Sequence, residues 1–338
     1  MEAAINRSLK LHREAFVVDT HADTLQALFP GKRDLTSCDD RVNTGLGKRS
    51  KVGHVDIPRL IEGGVDCQVF ALFTAFQPHP DRPLSKALQM MDIFYSECEK
   101  NADKIKPVSS YEEIMRAKEE GKIAALLSIE GGEVIEANIG VLRMLYKLGV
   151  RMMSLTWNWR NELADGVGES RSRGGLSDLG VEVVKEMEKL GMIVDISHLS
   201  ESAFWDLVAI CKKPIIASHS NCRSVCDHKR NLTDDQIRAI AEKKGVIGMN
   251  FAPAFVHKEK ATVERLVDHM DHIVNLVGID YVGLGSDFDG IGSTPEGLED
   301  VSKMPNITKV LVSRGYSDKE VKKILGENHL RVFKDVLG

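Results

Sequence analysis

Six ionisable residues, His21, Asp23, Glu130, His198, His219 and Asp287, each stand where a short apolar run ends, in segments far apart along the chain. The runs read AFVVDT before His21-Ala-Asp23, IAALLSI before Glu130, MIVDIS before His198, PIIAS before His219 and YVGLGS before Asp287. Imidazole and carboxylate donors suit zinc, with manganese, iron and cobalt as further fits. Residues two apart on an extended chain share a face, so His21 and Asp23 can reach one ion. His198 and His219 end successive runs and can hold a second, and a carboxylate at Glu130 can bridge the pair. Gly131 and Gly132, lacking side chains, would let an ion or substrate come close. Two cations about 3.5–4 Å apart would share a water, lower its pKa toward about 7 and polarise a carbonyl. Asp287 would then take the water's proton and return it to a leaving amine. Asp289, two residues on in GSDFDG, competes for that role, because strand parity turns both side chains one way. A lone histidine at a strand end is more often an ordinary polar residue; five such residues at equivalent run ends favour a metal set.

These residues need a scaffold that brings distant strand ends together. Continuous Val, Ile, Leu, Ala and Met runs at 16–20, 66–73, 123–129, 150–156, 193–197, 214–218, 246–251 and 281–286 read as strands buried on both faces. Segments 84–101, 111–120, 138–148, 177–190, 201–211, 234–243, 262–277 and 319–336 carry helical apolar spacing. Ser200 and Thr233 are expected N-caps, and Gly191 and Gly245 are expected to stop helices in the left-handed conformation. Eight strand–helix alternations with no break in composition predict one (β/α)8 barrel domain over residues 1–338, with its chemistry at the carboxyl ends of the strands. Two longer segments, 24–57 and 158–176, leave such ends and are expected to roof the site.

Composition limits the partners. The 338 residues are 43% hydrophobic and 28% charged, as in ordinary soluble proteins. A net charge of −5 gives none of the basic footprint of a nucleic-acid binder. No apolar stretch of about 18 residues predicts a membrane span. The opening MEAAINRSLKLHREAF is broken by Arg7, Lys10 and Arg13, unlike a signal peptide, so the expected location is the cytoplasm. Six cysteines in such a chain are expected as free thiols. Cys222 and Cys226, between His219 and His228, resemble a zinc half-site, but no second ligand pair follows, and a packing role is expected. Arg230, in the charged DHKRN segment, reads from its neighbours alone as solvated surface.

The stretches VVDTHAD, HVDIPRLIEGGVDCQVFALF, SIEGGEVI, GVLRMLYKLGVRMMSLTWN, IVDISHLS, PIIASHSNCRSVCDHKRNLTDD, VGLGSDFDG and PEGLEDVSKMPNITKVLVSRGYS resemble the membrane (renal) dipeptidase family. These are zinc dipeptidases of amidohydrolase-like barrel fold, and the likeness is strongest to soluble microbial-type members. It runs from about residue 16 to the C-terminus, with SIEGG, SHS…RN and GSDFDG its most specific elements. The resemblance implies two zinc ions per chain, with His21 and Asp23 on one, His198 and His219 on the other, and Glu130 between them. It implies Asp287 as the proton-transferring residue and Arg230 as a contact for the substrate's carboxylate, against the surface reading above. The activity implied is dipeptide hydrolysis by a metal-bridging hydroxide, often with a D-residue at the C-terminal position; some members also open β-lactams. A homodimer is implied by the same analogy.

The chain departs from mammalian relatives after its fourth predicted strand. Trp157 and Asn158 stand where those enzymes carry a substrate-contacting histidine, so Trp157, Asn158 or Arg160 is expected to take over that contact. NFAPAF, near residue 252, lacks a tyrosine found in mammalian relatives. One alternative is a cyclic amidase or deaminase of the wider amidohydrolase group. Many of those bridge their metals with a carboxylated lysine at the end of strand four, where this chain has Trp157. A non-catalytic barrel is the third reading, and the intact ligand set weighs against it.

Overall fold

The computed structural model describes residues 2–29, 45–75, 77, 79–169 and 171–338. Among these, nine parallel strands form one sheet: β1 Val18–Ala22, β2 Cys67–Phe73, β3 Ile105–Val108, β4 Ile123–Glu130, β5 Val150–Ser154, β6 Ile193–Asp195, β7 Ile216–Ala217, β8 Val246–Met249 and β9 Val282–Leu284. Pairing runs β1–β2–β4–β5–β6–β7–β8–β9 and returns from β9 to β1, so eight strands close a barrel. Helices alternate with the strands, giving the expected (β/α)8 architecture. The ninth strand, β3, was not anticipated. It pairs with Ile123–Leu126 of β4, while β5 takes the remainder of that edge from Leu127 to Glu130.

Several strands are shorter than their apolar runs. Run 214–218 yields only Ile216–Ala217, and run 281–286 only Val282–Leu284. The cause lies in two buried carboxylates. Asp195 Oδ1 accepts the Ser197 and Ser218 amides, both at 2.9 Å. Asp19 Oδ1 accepts the Ser286 amide at 2.8 Å. Side chains thus replace the backbone ladder at the strand ends, and the chain turns there.

The helices follow the expected apolar spacing closely, with differences at their ends. Ser200 accepts the Ala203 amide, and Thr233 forms a reciprocal capping box with Gln236. Gly191 is left-handed at φ 75°, as expected. Gly245 is not: Lys244, at φ 56°, makes that turn. Gly245 is required instead for close approach, since a Cβ there would lie 2.3 Å from the Ile215 carbonyl oxygen. The expected helix over 319–336 begins at Asp318 and is interrupted by a π-helical turn at Lys323–Glu327. Helices Glu2–Glu14, Ile57–Glu62 and Pro305–Ser313 were not read from the sequence.

Residues from the strand starts, among them Val18, Val69, Leu126, Met152, Ile193, Ile216 and Val246, cluster with Leu330, Val332 and Phe333 of the last helix. That helix covers the amino end of the barrel and leaves chemistry to the carboxyl end. Among the described residues, no helix is long and apolar enough to cross a membrane. Cys222 and Cys226 are buried, and their sulfurs face the carbonyl oxygens of His269 and Ala254. They pack, as expected; Cys38 and positions 30–44 of the long segment after β1 lie outside the described residues.

Candidate metal centre

The ends of β1, β4, β6 and β7 bring five of the expected ligands to one place. His21 lies near the end of β1 and Asp23 just follows it, Glu130 ends β4, and His198 and His219 follow β6 and β7. All five are almost wholly buried. The donor atoms of His21, Asp23 and Glu130 lie within 4.8 Å of one another, as do those of Glu130, His198 and His219. Glu130 divides its oxygens between these groups. Its Oε2 is 3.5 Å from His21 Nε2, while Oε1 is 2.9 Å from His198 Nε2 and 3.7 Å from His219 Nε2. His21 Nε2 also lies 3.4 Å from Asp23 Oδ2, yet it has no hydrogen-bond partner among the described residues.

The electrostatics of the cluster suit cations. Burial and the nearby Arg230 charge push His198 down to about 3, and burial holds His219 well below the ordinary imidazole value. Both rings therefore stay neutral, with lone pairs free to bind metal. Burial opposes ionisation of Glu130, but the charge on the His21 ring outweighs it and holds the carboxyl below its ordinary range. Burial likewise opposes charge on His21, but Glu130 and Asp23 hold that ring well above its ordinary value. The proton that His21 keeps marks a point between carboxylates where positive charge is strongly favoured. An orphaned imidazole nitrogen between two carboxylates is a fitting place for a divalent ion.

The remaining ring nitrogens are held from outside. His219 Nδ1 meets Ser218 Oγ at 2.7 Å, and that hydroxyl donates to Asp195 Oδ2 at 2.5 Å. His198 Nδ1 meets Asn158 Oδ1 at 3.0 Å. Such partners fix ring orientation and leave Nε2 for an ion. Asp19 and Asp195 escaped the sequence reading, although a carboxylate inside an apolar run (VVDT, IVDIS) is itself an anomaly that could have marked them.

Asp287 and Asp289 part company. Both adopt left-handed backbone, φ 63° and 65°, which breaks the alternation expected of a strand. Asp287 Oδ1 comes within 4.0 Å of His21 Nε2, and its Oδ2 accepts from Asn250 Nδ2 at 2.9 Å. Burial, together with the Asp23 and Glu130 charges, pushes its carboxyl up to about 7 against the pull of His21. Asp289 accepts from Thr24 Oγ1 at 2.7 Å and from the His54 amide at 2.5 Å, and so ties the segment after β1 to the β9 loop. His198 is also left-handed, at φ 71°. Such non-glycine conformations cost about 1–3 kcal/mol each and gather at functional sites.

A cavity of about 300 Å³ opens beside this cluster, lined by Asp23, Glu130, His198 and Asp287 and by Gln26, Phe73, Trp157, Asn158, Arg230, Ala252, Phe255, Gly290 and Ile291. The local surface reading of Arg230 is wrong: the residue is only 6% exposed, donates Nη2 to the His219 carbonyl at 3.2 Å, and lies over the Phe255 ring at 5.7 Å. Trp157 packs against Phe73 and His198, with centroids 5.3 and 5.9 Å apart. Arg160 is drawn away to Asp165 at 2.6 Å and is absent from the cavity lining. Gly131 and Gly132 also stay out of it. Gly131 is left-handed, at φ 92°, and a Cβ on Gly132 would strike Leu163 at 2.4 Å, so local packing rather than ligand approach requires them. Of the two long segments, 24–57 contributes Gln26 and 158–176 contributes Asn158 to the cavity wall.

Comparison with known proteins gives the family of the chain. A model of the membrane dipeptidase family, peptidase family M19, matches residues 5–337. Dipeptidase verJ of Clonostachys rogersoniana is 35% identical over 349 residues, covering 98% of this chain and 87% of that protein. The crystal structure of the probable dipeptidase PvdM from Pseudomonas aeruginosa is similar at TM-score 0.89 and 25% identity, over 99% of each chain. A metallo peptidase from Rhodobacter sphaeroides, solved with a phosphinate mimic of the dipeptide L-Ala-D-Ala, is similar at TM-score 0.85 and 27% identity, over 95% of this chain and 99% of that one. With a barrel that gathers histidines and carboxylates at its carboxyl end and a family match over nearly its whole length, the chain belongs to the membrane dipeptidase family and is a metallodipeptidase.

Proposed function

We propose that the chain hydrolyses dipeptides at a two-zinc centre held by His21 and Asp23 on one side and His198 and His219 on the other, with Glu130 between them. One observation carries this reading: the two oxygens of a single buried carboxylate face opposite histidine groups, Oε2 toward His21 and Oε1 toward His198. When bound, such a pair of ions supplies Lewis acidity and lowers the pKa of water toward about 7.

The chain's own residues do the rest. Arg230, buried beside the cavity, receives the substrate's free carboxylate in a paired hydrogen bond and sets the distance from carboxylate to scissile bond. Asp287, poised near neutrality and anchored by Asn250, accepts the proton of the attacking water and passes it to the departing amine. Trp157 and Phe73 form an aromatic wall against which a substrate side chain packs. The match to a structure solved with an L-Ala-D-Ala mimic supports substrates carrying a D-residue at the C-terminal position. The cyclic-amidase alternative relies on a bridging lysine at the end of the barrel's fourth strand, β5 here, and no lysine lines the cavity among the described residues.

The test combines metal analysis with a substrate panel. Active protein is expected to hold two zinc ions per chain, to lose turnover on chelation and to regain it with zinc. It is expected to cleave L,D and L,L dipeptides but not hydantoins or dihydropyrimidines. Full activity with less than one ion per chain would rule out the two-metal reading, and hydrolysis confined to cyclic amides would replace the substrate class.

A further inference from the structure

The long segment after β5 was expected to roof the metal site, yet only its first residue, Asn158, reaches that cavity. Its middle part walls a different space. Val167 donates its amide to the His198 carbonyl at 2.7 Å, and Asp165 accepts the Gly174 amide at 2.8 Å, so the segment lies fixed along the loop after β6. A groove of about 540 Å³ is lined by this segment, by helix Glu201–Ile210 and by the loop after β7. Small-molecule sites commonly enclose about 300–1,000 Å³.

Five charged side chains line the groove: Glu169, Arg173, Glu201, Arg223 and Lys229. None of them makes an ion pair with any described residue. Opposite charges that share a wall without touching leave a gap that a molecule carrying both signs would bridge. Trp205 adds an exposed ring, held edge-on against the buried Phe204 with centroids 5.0 Å apart. Arg223 is steadied through Nη2, which donates to the Lys229 carbonyl at 3.2 Å, while its Nε is buried without a partner among the described residues.

Ser220 Oγ and Arg230 Nε are orphaned in the same way, and all three residues line one small enclosed cavity of about 30 Å³. Three surplus donors in one place favour a ligand that brings acceptors. This cavity shares Arg223 and Lys229 with the groove, and His198 and Arg230 with the metal-site cavity. Among the described residues, none lines both of the larger spaces, so filling one leaves the other open.

We propose that the groove is a second binding site, for a zwitterionic amino-acid unit with an aromatic side chain. Arg223 and Lys229 take its carboxylate, Glu169 and Glu201 its ammonium group, and Trp205 its ring. The ligand chemistry follows from the groove alone. That the occupant comes from the reaction itself, as dipeptide substrate or amino-acid product, rests on the dipeptidase reading above.

Calorimetry tests the site on the zinc-loaded full chain, saturated with a phosphinate dipeptide mimic so that the metal-site cavity is filled. Phenylalanine is expected to bind once per chain. N-acetylphenylalanine lacks the ammonium charge and phenylalaninamide lacks the carboxylate; each should bind about 10- to 100-fold more weakly. Arg223→Gln should weaken phenylalanine about 10- to 100-fold, and Trp205→Ala, at an exposed position, about 3- to 10-fold. Phenylalanylglycine, titrated on the same blocked protein, distinguishes substrate from product, the tighter binder being the occupant. No binding to the blocked protein, undiminished affinity for either analogue, or unchanged affinity in either variant would overturn the site. Should the parent cleave no dipeptide and bind no mimic, the dipeptidase reading fails by itself. Phenylalanine binding, and its loss in the two variants, then still decide the groove.

Discussion

The hydroxyl of Ser218 stands 2.7 Å from Nδ1 of His219 and is itself anchored by Asp195 at 2.5 Å. The serine donates to the carboxylate and accepts from the ring, so His219 carries its proton on Nδ1 and turns a bare Nε2 toward Glu130. Replacing Ser218 by Ala removes that acceptor. Zinc affinity is expected to drop about 10- to 100-fold, while Ser218→Thr retains most of it. Competition against a chromogenic chelator measures this; equal affinities for the parent and the alanine variant would remove the relay from the metal site.

Asp287→Asn is expected to lower kcat at least about a hundredfold, because an amide cannot carry the proton between water and leaving amine. Its Asn250 contact tolerates the exchange in shape, so both metals should remain bound. Metal content and single-turnover rates, measured on the same sample, check the two halves together. Loss of zinc from this variant would instead make Asp287 a ligand.

Arg230→Ala should raise KM about 10- to 100-fold for dipeptides, the equivalent of losing a charge-assisted contact worth about 1.5–3 kcal/mol. The same variant should stop discriminating a dipeptide from its C-terminal amide. The ratio of kcat/KM for that pair is the readout. A preserved ratio would assign carboxylate recognition elsewhere.

Two histidines outside the candidate metal centre predict a pH effect on stability. Burial pushes His269 down to about 4 and His329 down to about 3. Between those values and the ordinary 6.5, the unfolded chain binds protons at both positions and the native state at neither. Their contribution to stability is therefore complete above about 6.5 and is lost as pH falls below it, by about 1.4 kcal/mol per pH unit per ring. Neither His329 ring nitrogen has a hydrogen-bond partner among the described residues, so His329→Met keeps the packing and removes one titrating ring. Denaturant unfolding of the zinc-loaded protein from pH 7 to 5 should show a shallower pH dependence in that variant, and identical slopes would refute the assignment.

Much of the architecture is legible in the sequence because its cause is local. Apolar runs buried on both faces, helices with a single apolar stripe, and capping residues such as Ser200 and Thr233 act over a few neighbours, so order along the chain reveals them. His21, Asp23, Glu130, His198 and His219 stood out for the same reason, each a polar residue closing an apolar run. Most of the closed strand order then follows from the rule that successive parallel strands lie side by side; β3, which leaves β2 to pair with β4, departs from it.

What tertiary structure alone decided depends on contacts between residues far apart in the chain. Arg230 looks like one more charge in DHKRN, and only the approach of the His219 carbonyl and Phe255 takes it out of water. Asp287 and Asp289 are equivalent by parity until left-handed backbone at both sends one toward His21 and the other toward Thr24 and His54. Asn158 gains its meaning from a histidine forty positions away. Residue type and spacing record what a segment prefers by itself; which groups meet depends on how the barrel closes.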